Sequence, residues 1–122
     1  MRRINDPDIG VRWTQGNLYA QYDEIVLVLG KPNRESDGKT DAEWVIEEDG
    51  VIFRLYNYKN GRHYLGPRGL DLWEIRYWLI GGKTPEVVYA VKKLFPKHEV
   101  ELVSVFRVLE NRQIIEAIWR GG

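Results

Sequence analysis

AEWVIEEDGVIFRLYNYKNG, residues 42–61, decides how this chain folds. It holds an alternating run, a DG pair, a second alternating run and an NG pair. Asp-Gly supports the left-handed backbone that a two-residue hairpin turn needs, so the stretch reads as an antiparallel hairpin. Side chains alternate across a strand, which puts Trp44 and Ile46 on one face and Glu43, Val45 and Glu47 on the other. In the second strand Val51, Phe53, Leu55 and Asn57 alternate with Ile52, Arg54, Tyr56 and Tyr58. The first set is core. The second, with Arg54 between aromatic neighbours, reads as half buried at most.

Working outward, GPRG (66–69) is a turn, and LDLWEIRYWLIGG (70–82) reads as a third strand. Its alternation sets Trp73, Ile75, Tyr77 and Leu79 against Glu74, Arg76, Trp78 and Ile80. Gly81-Gly82 ends it. Thr84 is then the expected N-cap, Pro85 the first helical residue and Glu86 the first-turn acid of a helix. Val87, Val88, Val91, Leu94 and Phe95 form its apolar stripe, and Pro96 stops it.

On the N-terminal side, residues 1–12 read as a flexible polar arm and GNLYAQY (16–22) as a short strand. Asp23 is a candidate N-cap for EIVLVLG, a two-turn helix closed by Gly30 and Pro32. The β-branched run there makes a strand equally arguable, and the stop signals in GKPN favour helix. NRESDGKTD (33–41) is a polar turn. Residues 97–122 read as a second long helix with a candidate break at Asn111. Leu102, Phe106 and Leu109 fall at helical spacing, followed by Ile114, Ile115, Ile118 and Trp119.

The expected fold is therefore α+β: one domain with an antiparallel sheet of three or four strands, helices on one face, and a C-terminal helical extension. The tail carries more apolar surface than such a sheet needs. Phe106, Leu109, Ile114, Ile115, Ile118 and Trp119 are thus candidate oligomerisation residues, and a homo-oligomer is expected.

Composition narrows the chemistry. Lys plus Arg and Asp plus Glu each total 18, so the net charge is zero and bulk nucleic-acid binding is disfavoured. The absence of cysteine removes disulfides, thiol catalysis and thiolate metal sites. Two histidines, His63 and His98, argue against a histidine zinc site. No apolar leader or membrane-length run is present, and a cytoplasmic protein that does not engage membranes is the expectation. No cofactor is implied.

No phosphate-cradling glycine loop occurs, and Ser36 and Ser104 lie in no nucleophile elbow. Glu47, Glu48 and Asp49 sit at a hairpin tip, where acids are usually solvated. GGKT (81–84) has two readings: a sharp turn capped by Thr84, which is favoured, or an anion site at Lys83 and Thr84. His63 is a candidate base or ligand contact, with an ordinary loop residue as the blander reading. His98 reads as exposed and without partners. The strongest cluster is Arg54, Tyr56 and Tyr58 with Arg76 and Trp78, with Asn57 and His63 at its edge. Rings and guanidinium forks suit stacking and anion recognition. Core packing under a helix or a subunit is the alternative.

The blocks GKPN, TDAEW, YNYKNG and YLG, with an IGG before a helix, resemble a group of small single-domain bacteriophage-encoded proteins over residues 16–95. The resemblance implies an accessory or host-takeover factor, with anti-defence action among its roles, working in the host cytoplasm. Such a protein would bind a host protein or sequester a small nucleotide-like signal. Leu79 departs from the polar residue expected before IGG, which weakens a pocket at that place. The alternative is a small hydrolytic or nucleotide-modifying enzyme using His63 and nearby acids.

Overall fold

The computed structural model describes residues 1–5, 13–35 and 37–102. The hairpin stands as read: β3 (Glu43–Glu48) and β4 (Val51–Tyr56) pair antiparallel, with Trp44 opposite Leu55 and Ile46 opposite Phe53. Asp49 and Gly50 both take positive φ, 52° and 78°, as a primed two-residue turn requires. The fold is α+β, an antiparallel sheet with helices packed against it.

Among the described residues the sheet has six strands rather than three or four, in the order β1-β3-β4-β5-β2-β6. Two of the additional strands come from segments read otherwise. Arg2–Arg3 (β1) pairs with Glu47 and Ile46, so the described part of the expected arm is an edge strand. Ile4 is buried, and the Arg3 guanidinium donates to the carbonyls of Leu29 and Lys31. A cation there meets the negative end of a helix dipole.

At the other edge, Glu99–Leu102 (β6) pairs with β2 (Thr14–Tyr19) where a helix was expected. In EVEL, acids and apolar residues alternate with period two. Val100 is buried while Glu99 and Glu101 are exposed.

β2 also pairs with β5 (Tyr77–Gly81), which is shorter than the expected third strand. Asp71 and Glu74 close a 3-10 turn over Leu72–Glu74 (the Asp71 amide donates to Glu74 Oε1 at 3.1 Å). That turn breaks the alternation, so Ile75 and Trp78, three residues apart, are both fully buried.

Helix α1 is Tyr22–Leu29, which settles the open choice in favour of helix. Its N-cap is Gln21 rather than Asp23: the Gln21 amide donates to Glu24 Oε1 at 2.8 Å, and Asp23 accepts from Glu24 within the first turn. α2 is a single turn, Arg62–Leu65. α3 spans Glu86–Leu94, and its N-cap position falls on Pro85 with no side-chain cap from Thr84. Lys92 Nζ caps the far end, donating to the carbonyls of Pro96 and His98 at 3.2 and 2.8 Å.

The main core lies between one sheet face and α1 and α3. Ile25 and Leu29 of α1 and Val87, Val88, Ala90 and Val91 of α3 join Leu18, Trp44, Ile46, Phe53, Leu55, Trp78 and Ile80. Trp44 and Trp78 meet edge to face at 5.5 Å. Each such large side chain contributes about 1.5–3 kcal/mol by leaving water.

Candidate binding surface

The YNYKNG motif divides at Asn57. This residue ends the hairpin fully buried, where a polar side chain must be satisfied internally. Its carbonyl oxygen accepts the amides of Asp41 and Ala42 at 2.8 and 3.1 Å. Its amide donates to Asp41 Oδ1 at 2.9 Å and to Asn60 Oδ1 at 3.0 Å. Asp41 in turn takes the His63 amide at 3.3 Å, and Gly61 lies so close to that carboxylate that a Cβ would collide with it. The TD and YNYKNG blocks are two halves of one internal clasp. Asn57 is architecture, not the rim of a ligand site.

What the clasp holds is a segment that presents apolar groups outward. Tyr58, Tyr64, Leu65, Leu70 and Trp73 are all exposed, Trp73 at 68%. Gly61 bridges to Leu70, the Leu70 amide donates to the Asn60 carbonyl at 3.0 Å, and Arg62 pairs with Asp71 at 3.1 Å. These contacts lay residues 60–62 beside 70–71. Lys59 Nζ sits 5.1 and 5.3 Å from the Tyr58 and Tyr64 ring centres. The Trp73 and Tyr22 rings meet at right angles, their centres 5.4 Å apart. His63 belongs to this segment and is exposed too, with Nδ1 3.2 Å from the Asp37 carbonyl.

The expected Arg54–Tyr56–Trp78 surface does not form. Tyr56 pairs with Leu79 across β4 and β5, so Trp78 projects to the opposite face. There it is fully buried and donates Nε1 to the Ala20 carbonyl at 3.0 Å. Arg54 and Tyr56 do share a face, with the guanidinium carbon 3.7 Å from the Tyr56 ring centre. Arg54 is ion-paired with the buried Glu43, and the Tyr56 hydroxyl meets Thr14 Oγ1 at 3.1 Å. These groups satisfy one another. Tyr58, beyond the strand, belongs to the exposed segment instead.

Arg76 lies elsewhere again. With Tyr19, Ala20, Gln21 and Glu24 it lines an open cleft of about 280 Å³ at one end of β2 and β5. Tyr19 and Tyr77 stack edge to face there at 5.3 Å. Burial first, and then the nearby Glu101, push the Tyr19 phenol above its ordinary pKa. Next to the cleft, Glu24 Oε2 meets His98 Nε2 at 2.8 Å, so His98 is partnered where an exposed residue was expected. His98 also packs on Phe95, and its Nδ1 is buried without a partner. An imidazole whose free nitrogen is closed off makes a poor proton shuttle.

Lys83 and Thr84 are exposed at the start of α3. Gly82 is pressed against the Val87 side chain and its amide donates to the Trp13 carbonyl at 2.8 Å, which fits the sharp-turn reading of GGKT. Among the described residues no group of three His, Cys, Asp or Glu side chains is placed to hold a metal, and no helix is long and apolar enough to cross a membrane. Phe106, Leu109, Ile114, Ile115, Ile118 and Trp119 lie outside the described residues. Sequence reasoning missed Tyr64, Leu65, Leu70 and Trp73 as a surface. The signal available was an apolar excess in a glycine-rich segment with no strand period. No protein-family model, curated protein or solved structure matches the chain.

Proposed function

We propose that this chain is a non-enzymatic binding protein that engages a protein partner through the segment between Tyr58 and Trp73. One observation carries the reading: five large apolar side chains stand exposed on a segment whose backbone is fixed by the buried Asn57–Asp41 clasp. Rigid, exposed rings suit recognition, because they bury much area on binding and lose little conformational freedom. Two of the blocks that resemble small phage proteins, TDAEW and YNYKNG, build the clasp, which favours a host factor as partner and a viral accessory role.

The test is affinity capture from bacterial lysate with quantitative mass spectrometry, comparing the parent with a folded Tyr64→Ala/Trp73→Ala variant. A partner enriched by the parent and lost from the variant is the expected result. The same proteins retained by both would overturn the reading.

A second reading, sequestration of a small anionic aromatic ligand such as a nucleotide, is favoured by the cleft beside Arg76, where no ion pair of that guanidinium is found among the described residues. Equilibrium dialysis against a nucleotide panel tests it. Binding that Arg76→Ala abolishes would favour the cleft over the exposed segment.

A further inference from the structure

The exposed segment is charged as well as apolar, and with one sign. From Gly50 to Leu70 the chain has no Asp or Glu, although acids make up 18 of its 122 residues. The same stretch carries Arg54, Lys59, Arg62 and Arg68. Arg54 is taken by Glu43 and Arg62 by Asp71, but Lys59 and Arg68 are exposed and in no ion pair among the described residues. Lys39, also exposed, is held beside Lys59, whose amide donates to the Lys39 carbonyl at 2.8 Å. The two acids that touch the segment are engaged within the fold. Asp41 accepts the Asn57 side-chain amide and the His63 backbone amide, and Asp71 holds Arg62. Lys59 takes φ 59°, left-handed backbone that glycine and asparagine enter more readily. From there its ammonium lies 5.1 and 5.3 Å from the centres of the exposed Tyr58 and Tyr64 rings.

We propose, resting on the reading of this segment as the binding surface, that its partner is an acidic protein segment bearing apolar anchors. Its carboxylates meet Lys39, Lys59 and Arg68, while its apolar side chains cover Tyr58, Tyr64 and Leu70. Charge complementarity carries the choice: a basic partner is repelled from such a rim, and an acidic one is steered to it. A single-stranded nucleic acid would use the cations and the tyrosines, but the exposed Leu65 and Leu70 offer no flat face on which a base can stack. A protein chain uses all three kinds of group.

The test is a library of random linear peptides panned in parallel on the full chain, on Tyr64→Ala/Trp73→Ala and on Lys59→Asn/Arg68→Gln, each shown to keep the parent urea midpoint. Asparagine tolerates left-handed backbone, so the second variant removes charge without straining the turn. Peptides enriched by the parent should carry more Asp and Glu than the input pool, together with Leu, Phe or Trp, and should be lost from the ring variant. For a fluorescein-labelled winner, the charge variant should weaken affinity about three- to tenfold, as should raised sodium chloride. Neutral or basic winners that the ring variant loses would overturn the acidic partner and leave the surface standing. Winners that ignore both variants, or no winners at all, would overturn the surface and the partner together. Oligouridylate or phosphatidylglycerol vesicles bound by the parent more tightly than any peptide, and released by the charge variant, would overturn the proposal in favour of a nucleic acid or a membrane surface.

Discussion

Asn57 and Asp41 hold each other from both sides: the Asn57 amide donates to Asp41 Oδ1 at 2.9 Å, and the Asn57 carbonyl takes the Asp41 backbone amide at 2.8 Å. The pair joins the start of the hairpin to its exit, so folding of the hairpin also orders the segment that displays Tyr58 and Tyr64. Asn57→Ala would strand the amides of Asp41 and Ala42. Buried unmet donors cost about 1–3 kcal/mol each, so we expect a loss of about 2–4 kcal/mol in urea denaturation. A loss below about 1 kcal/mol would mean that the clasp is solvated and does not order the segment.

Gly50 sits at φ 78° in the hairpin turn, next to Asp49 at φ 52°. A side chain in left-handed backbone costs roughly 1–2 kcal/mol, and space around Gly50 is open, so the expense is purely conformational. Gly50→Ala should lower stability by about that amount with an unchanged m-value. A neutral substitution would rule out the primed turn.

The hairpin was legible because turn chemistry and alternation agree at one place. α1 was legible from its stop signals, although its β-branched run pointed both ways. Other elements depended on contacts that no local pattern carries. β1 is two arginines, and only their partners Glu47 and Ile46 make them a strand. β6 was hidden because Leu102 matches helical spacing with Phe106 and Leu109 while EVEL also alternates with period two. Pairing with β2 decides between these periods. Trp78 was misplaced because the turn closed by Asp71 and Glu74 lets Ile75 and Trp78 share the core, so a parity count carried through it turns the wrong residues outward. Asn57 was misplaced because its clasp with Asp41 buries it.

Glu24 links α1 to the end of the chain's described part. Its carboxyl is held below the ordinary range, first by the Gln21 amide and then by the His98 imidazole. A depressed folded-state pKa contributes stability that is present above the unfolded carboxylate value, about 4.3, and is lost as pH falls through the folded value. Glu47, lowered by Arg2, and Asp49, lowered by Lys93, act in the same direction. Melting temperatures of the parent and Glu24→Gln, measured from pH 7 down to pH 3, should differ most at the upper end and converge in acid. Parallel curves would show that the Glu24 carboxylate is not linked to folding.

Arg54 pairs with Glu43 and lies over Tyr56, so its charge is spent within the fold. Arg54→Lys removes the planar fork and leaves the buried Glu43 less well matched. We expect about 1 kcal/mol of lost stability and no change in partner capture. Capture lost from a variant that keeps its parent stability would return Arg54 to the binding surface.

Trp73 and Trp78 are five residues apart and should respond in opposite ways. Trp78 is fully buried, meets Trp44 edge to face and donates to the Ala20 carbonyl. Trp78→Ala would leave a cavity and an unmatched carbonyl, so a loss of about 3–5 kcal/mol is expected, enough to unfold a chain of ordinary stability. Trp78→Phe keeps most of the volume and serves as the folded comparison. Trp73 is largely exposed and meets the Tyr22 ring at right angles, so Trp73→Ala should stay within about 0.5 kcal/mol of the parent. Its effect should fall on binding instead, by about 1–3 kcal/mol against a captured partner, as for an aromatic anchor. If Trp73→Ala destabilises as strongly as Trp78→Ala, the exposed segment is part of the core and the proposed surface is lost. If neither variant alters capture while Trp78→Phe remains folded, the partner binds elsewhere, and the Arg76 cleft becomes the next place to look.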